Sequence, residues 1–300
     1  MVAQAPVVTL NNGTTMPALG LGVFQSAPEE TAQAVEAALA HGYRLIDTAA
    51  AYRNERQVGA AIAAAGLPRA ELFVTTKLWM TDYGYATALR AFDASLRRLG
   101  LDHVDLYLLH WPAPAEFDST VAAYQAAEQV LAQGRARAIG VCNFTAEHLL
   151  QLMARTDVVP AVNQVELHPF FNQHELRDAH RRLRITTQSW SPIGGVHRRR
   201  AASPDQVFGP LEHPTVVALA AERGRTPAQI VLRWHLQQGL SAIPKSVRPQ
   251  RIAENFDVFD FGLSDHEMAA IDALDTGSRT GADPDTVGSR TYDLRPPEDD

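Results

Sequence analysis

A single cysteine, Cys142, stands among the 300 residues, so no intramolecular disulfide can form and a reducing compartment suits the chain best. Long apolar runs are missing as well. No stretch approaches the ~18 residues that a membrane-crossing helix needs, and the N-terminus, MVAQAPVVTL, lacks the basic start and long apolar run of a secretory signal. The cytoplasm is the expected location, which makes the Asn-x-Thr triplets at Asn12 and Asn143 chance matches. Positive charge is in deficit: 27 Lys and Arg against 34 Asp and Glu leave a net charge of −7, which argues against a nucleic-acid or polyanion partner. The one basic run, His197 to Arg200, lies between SPIGG and a polar stretch and reads as a solvated loop in preference to an anion site. No G-x-G-x-x-G is present, which excludes the usual dinucleotide loop. His168, His174, His180 and His235 lack the i, i+4 spacing of an HExxH site, so no metal is expected. No exposed apolar helix face stands out, and a monomer is expected.

What is present is a rhythm. With 46% hydrophobic residues the chain has ample core material. Short β-branched and aliphatic runs recur at ALGLG (18–22), YRLID (43–47), LFVTTK (72–77), VDLYLLH (104–110), ARAIGVCN (136–143), AVNQVE (161–166), RITTQSW (184–190) and SAIPK (241–245). Between them, helix-like segments fall at 28–40, 55–65, 86–99, 120–133, 146–154, 173–183 and 227–238. Eight such strands alternating with helix-like segments predict one (β/α)8 barrel over residues 1–300. Thr145 and Thr226 read as helix N-caps, the latter followed by Pro227, and Gly66, Gly100 and Gly134 as stops. Asn12-Gly13 predicts a hairpin across the barrel bottom. From Thr276 onward Gly, Asp, Pro, Ser and Thr dominate, and 276–300 is expected to be a loosely packed tail.

In a parallel barrel the chemistry gathers where the strands end. Those ends read Asp47, Lys77, His110, Asn143, Gln164, Trp190 and Lys245, nearly all able to hydrogen-bond although each follows a buried run. Taken singly, Asp47 is a turn or cap residue and His110 a satisfied core histidine, while Phe24, Trp79 and Trp111 either cap the core or wall a pocket. Taken together with Tyr52, five residues past a strand end, they make an acid–base set. A phenol is a weak acid, with a reference pKa of about 10, and a neighbouring ammonium from Lys77, held by Asp47, should lower it. His110 can then donate to a carbonyl oxygen. None of these groups delivers hydride, so a nicotinamide cofactor is required. Two other readings stay open: Lys77 as a Schiff-base lysine, which needs it neutral, and a redox-sensing binding module without turnover. Cys142 reads as a small filler, no base being recognisable beside it.

The residues also carry a resemblance. GYRLIDTAAAYRNERQVG (42–59), IGVCNF (139–144) and IPKSVRPQRIAEN (243–255), joined in order by VTTKLW and LLHWP, resemble the signatures of the aldo-keto reductase family over nearly the whole chain. The resemblance is to bacterial members, of the 2,5-diketo-D-gluconate reductase-like kind. It implies a (β/α)8 barrel, a catalytic tetrad of Asp47, Tyr52, Lys77 and His110, and transfer of the pro-R hydride of NADPH to an aldehyde or ketone. For the cofactor it implies Asn143 and Gln164 on the carboxamide and Trp190 against the ring, with Gly22, Val23, Asp47, Ser191 and Ile193 nearby. The adenosine phosphate grip falls on Lys245, Ser246, Val247, Arg251, Glu254 and Asn255. Two cations and a hydroxyl suit a 2′-phosphate and so favour NADPH over NADH. The implied substrate wall is Phe24, Tyr52, Trp79, His110 and Trp111. Cys142 replaces the commoner serine beside Asn143, and Trp190 the commoner tyrosine.

Overall fold

The computed structural model describes residues 5–194 and 209–297; the basic run at His197 to Arg200 and most of the loop it belongs to lie outside them. Strands β1 (Val7–Thr9) and β2 (Thr15–Pro17) pair antiparallel around Asn12 and Gly13, the glycine taking φ +84°. Leu10 and Met16 from this hairpin are buried with Leu45, Phe73 and Leu106, residues near the strand starts, while Asn11 and Asn12 donate to the carbonyls of Pro160 and Arg137. The hairpin therefore plugs the barrel bottom, as Asn-Gly promised.

Eight parallel strands follow: β3 (Gly20–Gly22), β4 (Leu45–Asp47), β5 (Phe73–Leu78), β6 (Val104–Leu109), β7 (Ala136–Cys142), β8 (Val162–Glu166), β9 (Thr186–Trp190) and β10 (Ser241–Ala242), each hydrogen-bonded to the next. Parallel bridges Leu19 to Ala242 and Gly22 to Lys245 join the last strand to the first and close the barrel. The expected strand positions all hold; most are trimmed at one end or both, while β5 runs one residue further, to Leu78.

Helices α1 (Pro28–Ala40), α2 (Glu55–Ala64), α3 (Tyr85–Leu99), α4 (Phe117–Ala132), α5 (Ala146–Met153) and α6 (His174–Leu183) follow the strands in turn. Beyond the expected set lie α7 (Pro214–Arg223), α9 (Pro249–Phe256) and α10 (Asp265–Asp272), with α8 (Pro227–Gln237) between β9 and β10. Thr145 and Thr226 cap as read, their hydroxyls accepting from the amides of His148 and Gln229. None of the described helices is long and apolar enough to cross a membrane.

Alternation along the strands decides what faces inward. Ile46, Val74, Tyr107, Ile139 and Val141 face the helices in one core, whereas Leu45, Phe73, Leu106, Leu108, Ala138 and Val162 fill the barrel interior. Large and small interior residues interlock. A side chain at Gly20 would meet Leu45 at 2.0 Å, and one at Gly140 would meet the Val162 carbonyl at 2.3 Å. The interior parity also carries Asp47, Lys77, His110, Cys142, Gln164, Glu166, Gln188 and Trp190, so the polar set necessarily converges on the barrel axis.

The tail departs from its loose expectation. Residues 276–297 contain no helix or strand, yet they are fastened stepwise around the barrel mouth. Thr276 donates to Phe170 O (3.0 Å), Thr280 and Gly281 to Glu166 (2.9 Å each), and Asp285 faces His148 at 3.4 Å. Further along, Ser289 donates to Glu116 (2.7 Å), Trp79 to Leu294 O (3.0 Å) and Arg53 to Arg295 O (2.8 Å). These anchors follow β8, β7, β6, β5 and β4 in turn, so the strap runs along the rim against chain order. Composition misled because side chains and carbonyls of the rim loops supply the partners that regular structure would have supplied.

Candidate active site

Asp47 ends β4 and Lys77 lies one residue before the end of β5; both point into the barrel, 1% and 0% exposed. Lys77 Nζ reaches Asp47 Oδ1 at 2.5 Å, the Thr48 carbonyl at 3.0 Å and Tyr52 Oη at 3.3 Å. Tyr52 closes a short helical turn over Ala50–Tyr52, after which Arg53 takes φ +58° and Asn54 turns inward. Asn54 was not singled out in the sequence. It is buried, accepts from Thr48 Oγ1 (2.7 Å) and donates to Val23 O (2.9 Å), and so pins the loop that carries the phenol. The rings of Tyr52 and His110 lie 5.6 Å apart edge to face, with Phe24 and Trp79 completing the row at 5.1 and 5.0 Å. All four tetrad residues are thus in one place.

The electrostatics correct one expectation. Burial raises the Tyr52 pKa, and the ammonium of Lys77 offsets only part of that rise. The phenol of the free protein is therefore firmly protonated. That is the state a proton donor needs, and the ammonium beside it favours the phenolate left after transfer. Burial works against the charge on Lys77, but Asp47 and its other neighbours outweigh it and raise the lysine pKa, so the amine is charged. Burial, then Lys77, push His110 well below the ordinary imidazole value, leaving it neutral. Its Nδ1 has no partner among the described residues.

A chain of amides extends from the carboxylate. Gln164 Nε2 donates to Asp47 Oδ2 and to Gln188 Oε1, both at 2.7 Å, and Gln188 Nε2 donates to Ser241 Oγ at 3.1 Å. The Gln164 nitrogen is committed inward, and its oxygen accepts from the Cys142 thiol at 3.8 Å. Gln188 was missed because a glutamine inside a strand resembles any half-buried polar position. Asn143, at φ +65°, donates to His110 O (3.0 Å) and accepts from Trp190 Nε1 (2.8 Å), so the two candidate carboxamide and ring-stacking residues are bonded to each other. Cys142 lies beneath, its sulfur accepting from Asn143 Nδ2 at 3.2 Å, and burial pushes its thiol up and keeps it protonated.

On the adjoining arc of the rim, past β9, Lys245 bridges to Gly22, and Lys245, Arg248 and Arg251 are exposed around the N-terminus of α9. Ser246 Oγ accepts from Arg248 N at 3.1 Å, Glu254 accepts from Gln250, and Asn255 is buried behind them. A helix N-terminus ringed by cations suits a phosphate. The amides of Gly22 and Val23 are taken, by Pro244 O and Asp47 O, both at 3.1 Å. Ser191 takes φ +48° in a turn closed by Gly194 N to Ser191 O, while Ile193 and Val247 are half-buried. The donor set therefore fits a dinucleotide laid from Trp190 to α9.

Trp79 and Trp111 are buried with Ala51, Met80, Ala113 and the tail's Val287, flanked by Tyr52, Ala282 and Leu294; Phe24 stays 42% exposed. Trp79 and Trp111 thus share one apolar cluster, to which the tail adds Ala282, Val287 and Leu294. A cleft of about 870 Å³ opens outside this cluster, between the starts of α5 and α6, but it meets the site only at Asn143 and contains none of the tetrad. His180 bonds Asn163 and Thr187, and His235 bonds two backbone carbonyls; no group of potential metal ligands occurs among the described residues.

A closed parallel barrel with a buried lysine–carboxylate pair beside a tyrosine at its mouth defines a class of barrel oxidoreductase. The chain belongs to the aldo/keto reductase family, which it matches over residues 12–276. It is 55% identical to morphine 6-dehydrogenase of Pseudomonas putida over 97% of this chain and 99% of that one. Among solved structures, an aldo-keto reductase from a Medee basin deep-sea metagenome library superposes with a TM-score of 0.88 at 40% identity, covering 94% of this chain and 99% of that one. The Bombyx mori aldo-keto reductase in complex with NADP gives 0.85 at 38% identity, over 92% and 95%.

Proposed function

We propose that the protein reduces aldehydes and ketones to alcohols with NADPH, taking the proton from Tyr52. The observation that carries this reading is the contact of Lys77 Nζ with both Asp47 and Tyr52 Oη beside an apolar cluster at the barrel mouth. A bound nicotinamide supplies the hydride. The remaining tasks belong to the chain. Tyr52 gives its proton to the carbonyl oxygen, Lys77 steadies the phenolate, Asp47 keeps Lys77 charged and oriented, and neutral His110 donates to the same oxygen. Trp190, Asn143 and Gln164 hold the nicotinamide end, and Lys245, Ser246 and Arg251 the 2′-phosphate, with Gly22, Val23, Ser191, Ile193, Val247, Glu254 and Asn255 around them. A carboxamide reaching Asn143 shares it with the Trp190 indole. The paired state of Lys77 speaks against a Schiff-base role, which requires a free amine.

The wall of Phe24, Trp79 and Trp111 suits apolar carbonyl compounds, and the likeness to morphine 6-dehydrogenase extends the candidates to bulky ones. A sugar-derived dicarbonyl, as the 2,5-diketo-D-gluconate reductase-like resemblance implies, is the second class. The setting is the cytoplasm and the acting unit a monomer: the large exposed apolar residues, such as Val7, Tyr85, Leu150 and Val217, are scattered over separate elements.

Oxidation of NADPH in the presence of carbonyl compounds graded in size and charge tests the reading. Binding of NADPH with no compound turned over would replace it with a sensing role. Trp111→Ala should shift the preference between large and small carbonyls by about tenfold, the scale of a lost pocket contact, while NADPH affinity, read by fluorescence, stays unchanged. A parallel loss for all compounds would remove Trp111 from the substrate wall.

A further inference from the structure

Strand β8 ends on a carboxylate that the chemistry above does not use. The sequence singles out Gln164 near the end of this strand and passes over its last residue, Glu166, which shares the inward parity of Gln164 at the mouth. It is fully buried. A carboxylate without water needs donors, and these come from two consecutive tail residues: Thr280 N (2.9 Å), Thr280 Oγ1 and Gly281 N (2.9 Å), with His168 Nε2 at 3.2 Å from the oxygen that Thr280 meets. Burial pushes its pKa up, but the bonds from His168, Thr280 and Gly281 hold it below the ordinary carboxyl value.

What Glu166 holds lies against the indole. Trp190 is its partner across the β8–β9 ladder. A side chain at Gly281 would sit 2.6 Å from Trp190 Cη2 and 3.0 Å from Glu166 Oε2, so the tail backbone rests on the ring edge. The ring is thus fixed on one side through Nε1 by Asn143 and on the other by a segment that Glu166 clamps. Downstream, the same strap supplies Ala282, Val287 and Leu294 to the apolar cluster of Trp79 and Trp111.

We propose that Glu166 is a positioning residue for both halves of the site: by clamping Thr280 and Gly281 it seats Trp190 and sets the height of the strap over that cluster, and so governs how large a carbonyl compound fits. This rests on the carbonyl-reductase reading for its substrate side only. Glu166→Gln keeps the size but sets an amide against the donors. Hydrogen exchange of the NADPH-free protein should accelerate about tenfold across 279–290, the factor that follows from weakening a charge-assisted bond. The Michaelis constant for NADPH should rise a few-fold with either compound as Trp190 loosens, and the KM of a bicyclic aromatic ketone about tenfold, several times the change for a short aliphatic aldehyde.

Unchanged exchange across 279–290 would overturn the proposal. So would an equal loss of kcat and KM for both compounds, which would mark a general structural defect. Should Glu166→Gln fail to accumulate as folded protein, Thr280→Val, which removes one donor and preserves shape, is read by the same two measurements. If the unsubstituted protein reduces neither compound, the carbonyl reading fails, and the exchange comparison still decides the clamp.

Discussion

Tyr52→Phe should bind NADPH as the unsubstituted protein does and turn carbonyls over ~10²–10⁴-fold more slowly, the span usually lost with a general acid. The substitution removes one oxygen from a ring that stays packed between Phe24 and His110, so the apolar cluster and cofactor grip remain. It also takes away the partner of Lys77 at 3.3 Å but not the Asp47 contact, so the buried ammonium stays paired and the fold is not at risk. Single-turnover rates with pre-bound NADPH isolate the effect from binding. Retained turnover would exclude Tyr52 as the proton donor and shift the role to His110 or a water.

The second large effect is expected at the joint of the first and last strands. Lys245→Met combined with Arg251→Ala should raise the Michaelis constant for NADPH by about 10²-fold or more while changing that for NADH little, because each charge-assisted phosphate contact contributes ~1.5–3 kcal/mol. Both side chains are exposed in the free protein, so their removal leaves the core untouched. Arg248 stands beside them and sets a floor under the residual affinity. Equal rises for the two cofactors would place the 2′-phosphate elsewhere.

Much of this site was readable because a barrel strand alternates strictly. Asp47, Lys77 and Gln164 could be picked as polar residues near the ends of apolar runs, and their parity with interior Leu45, Phe73 and Val162 forces them together. Helix starts were equally legible where a cap is local, as at Thr226 and Gln229. Helix α10 announces itself the same way, through Ser264 and Glu267, and went unread. What sequence could not carry was long-range pairing. Asn54 reaches back to Val23, Gln188 to Ser241, and Glu166 forward more than a hundred residues to Thr280. Nothing in a local pattern marks such partners. The direction of the Tyr52 shift was misread for a related reason: the charge of Lys77 is visible in the sequence, whereas the depth of burial that outweighs it is a property of the assembled barrel.

Closure of the barrel has a last consequence. The first and last strands meet through few bonds, among them Gly22 N to Pro244 O and Ala242 N to Ala18 O, and Lys245 stands on that joint. A dinucleotide gripped there, as proposed above, would span this sparsely bonded seam of the ring. Its binding energy is then also energy against the ring springing open, so saturation with coenzyme and resistance to unfolding should rise as one quantity.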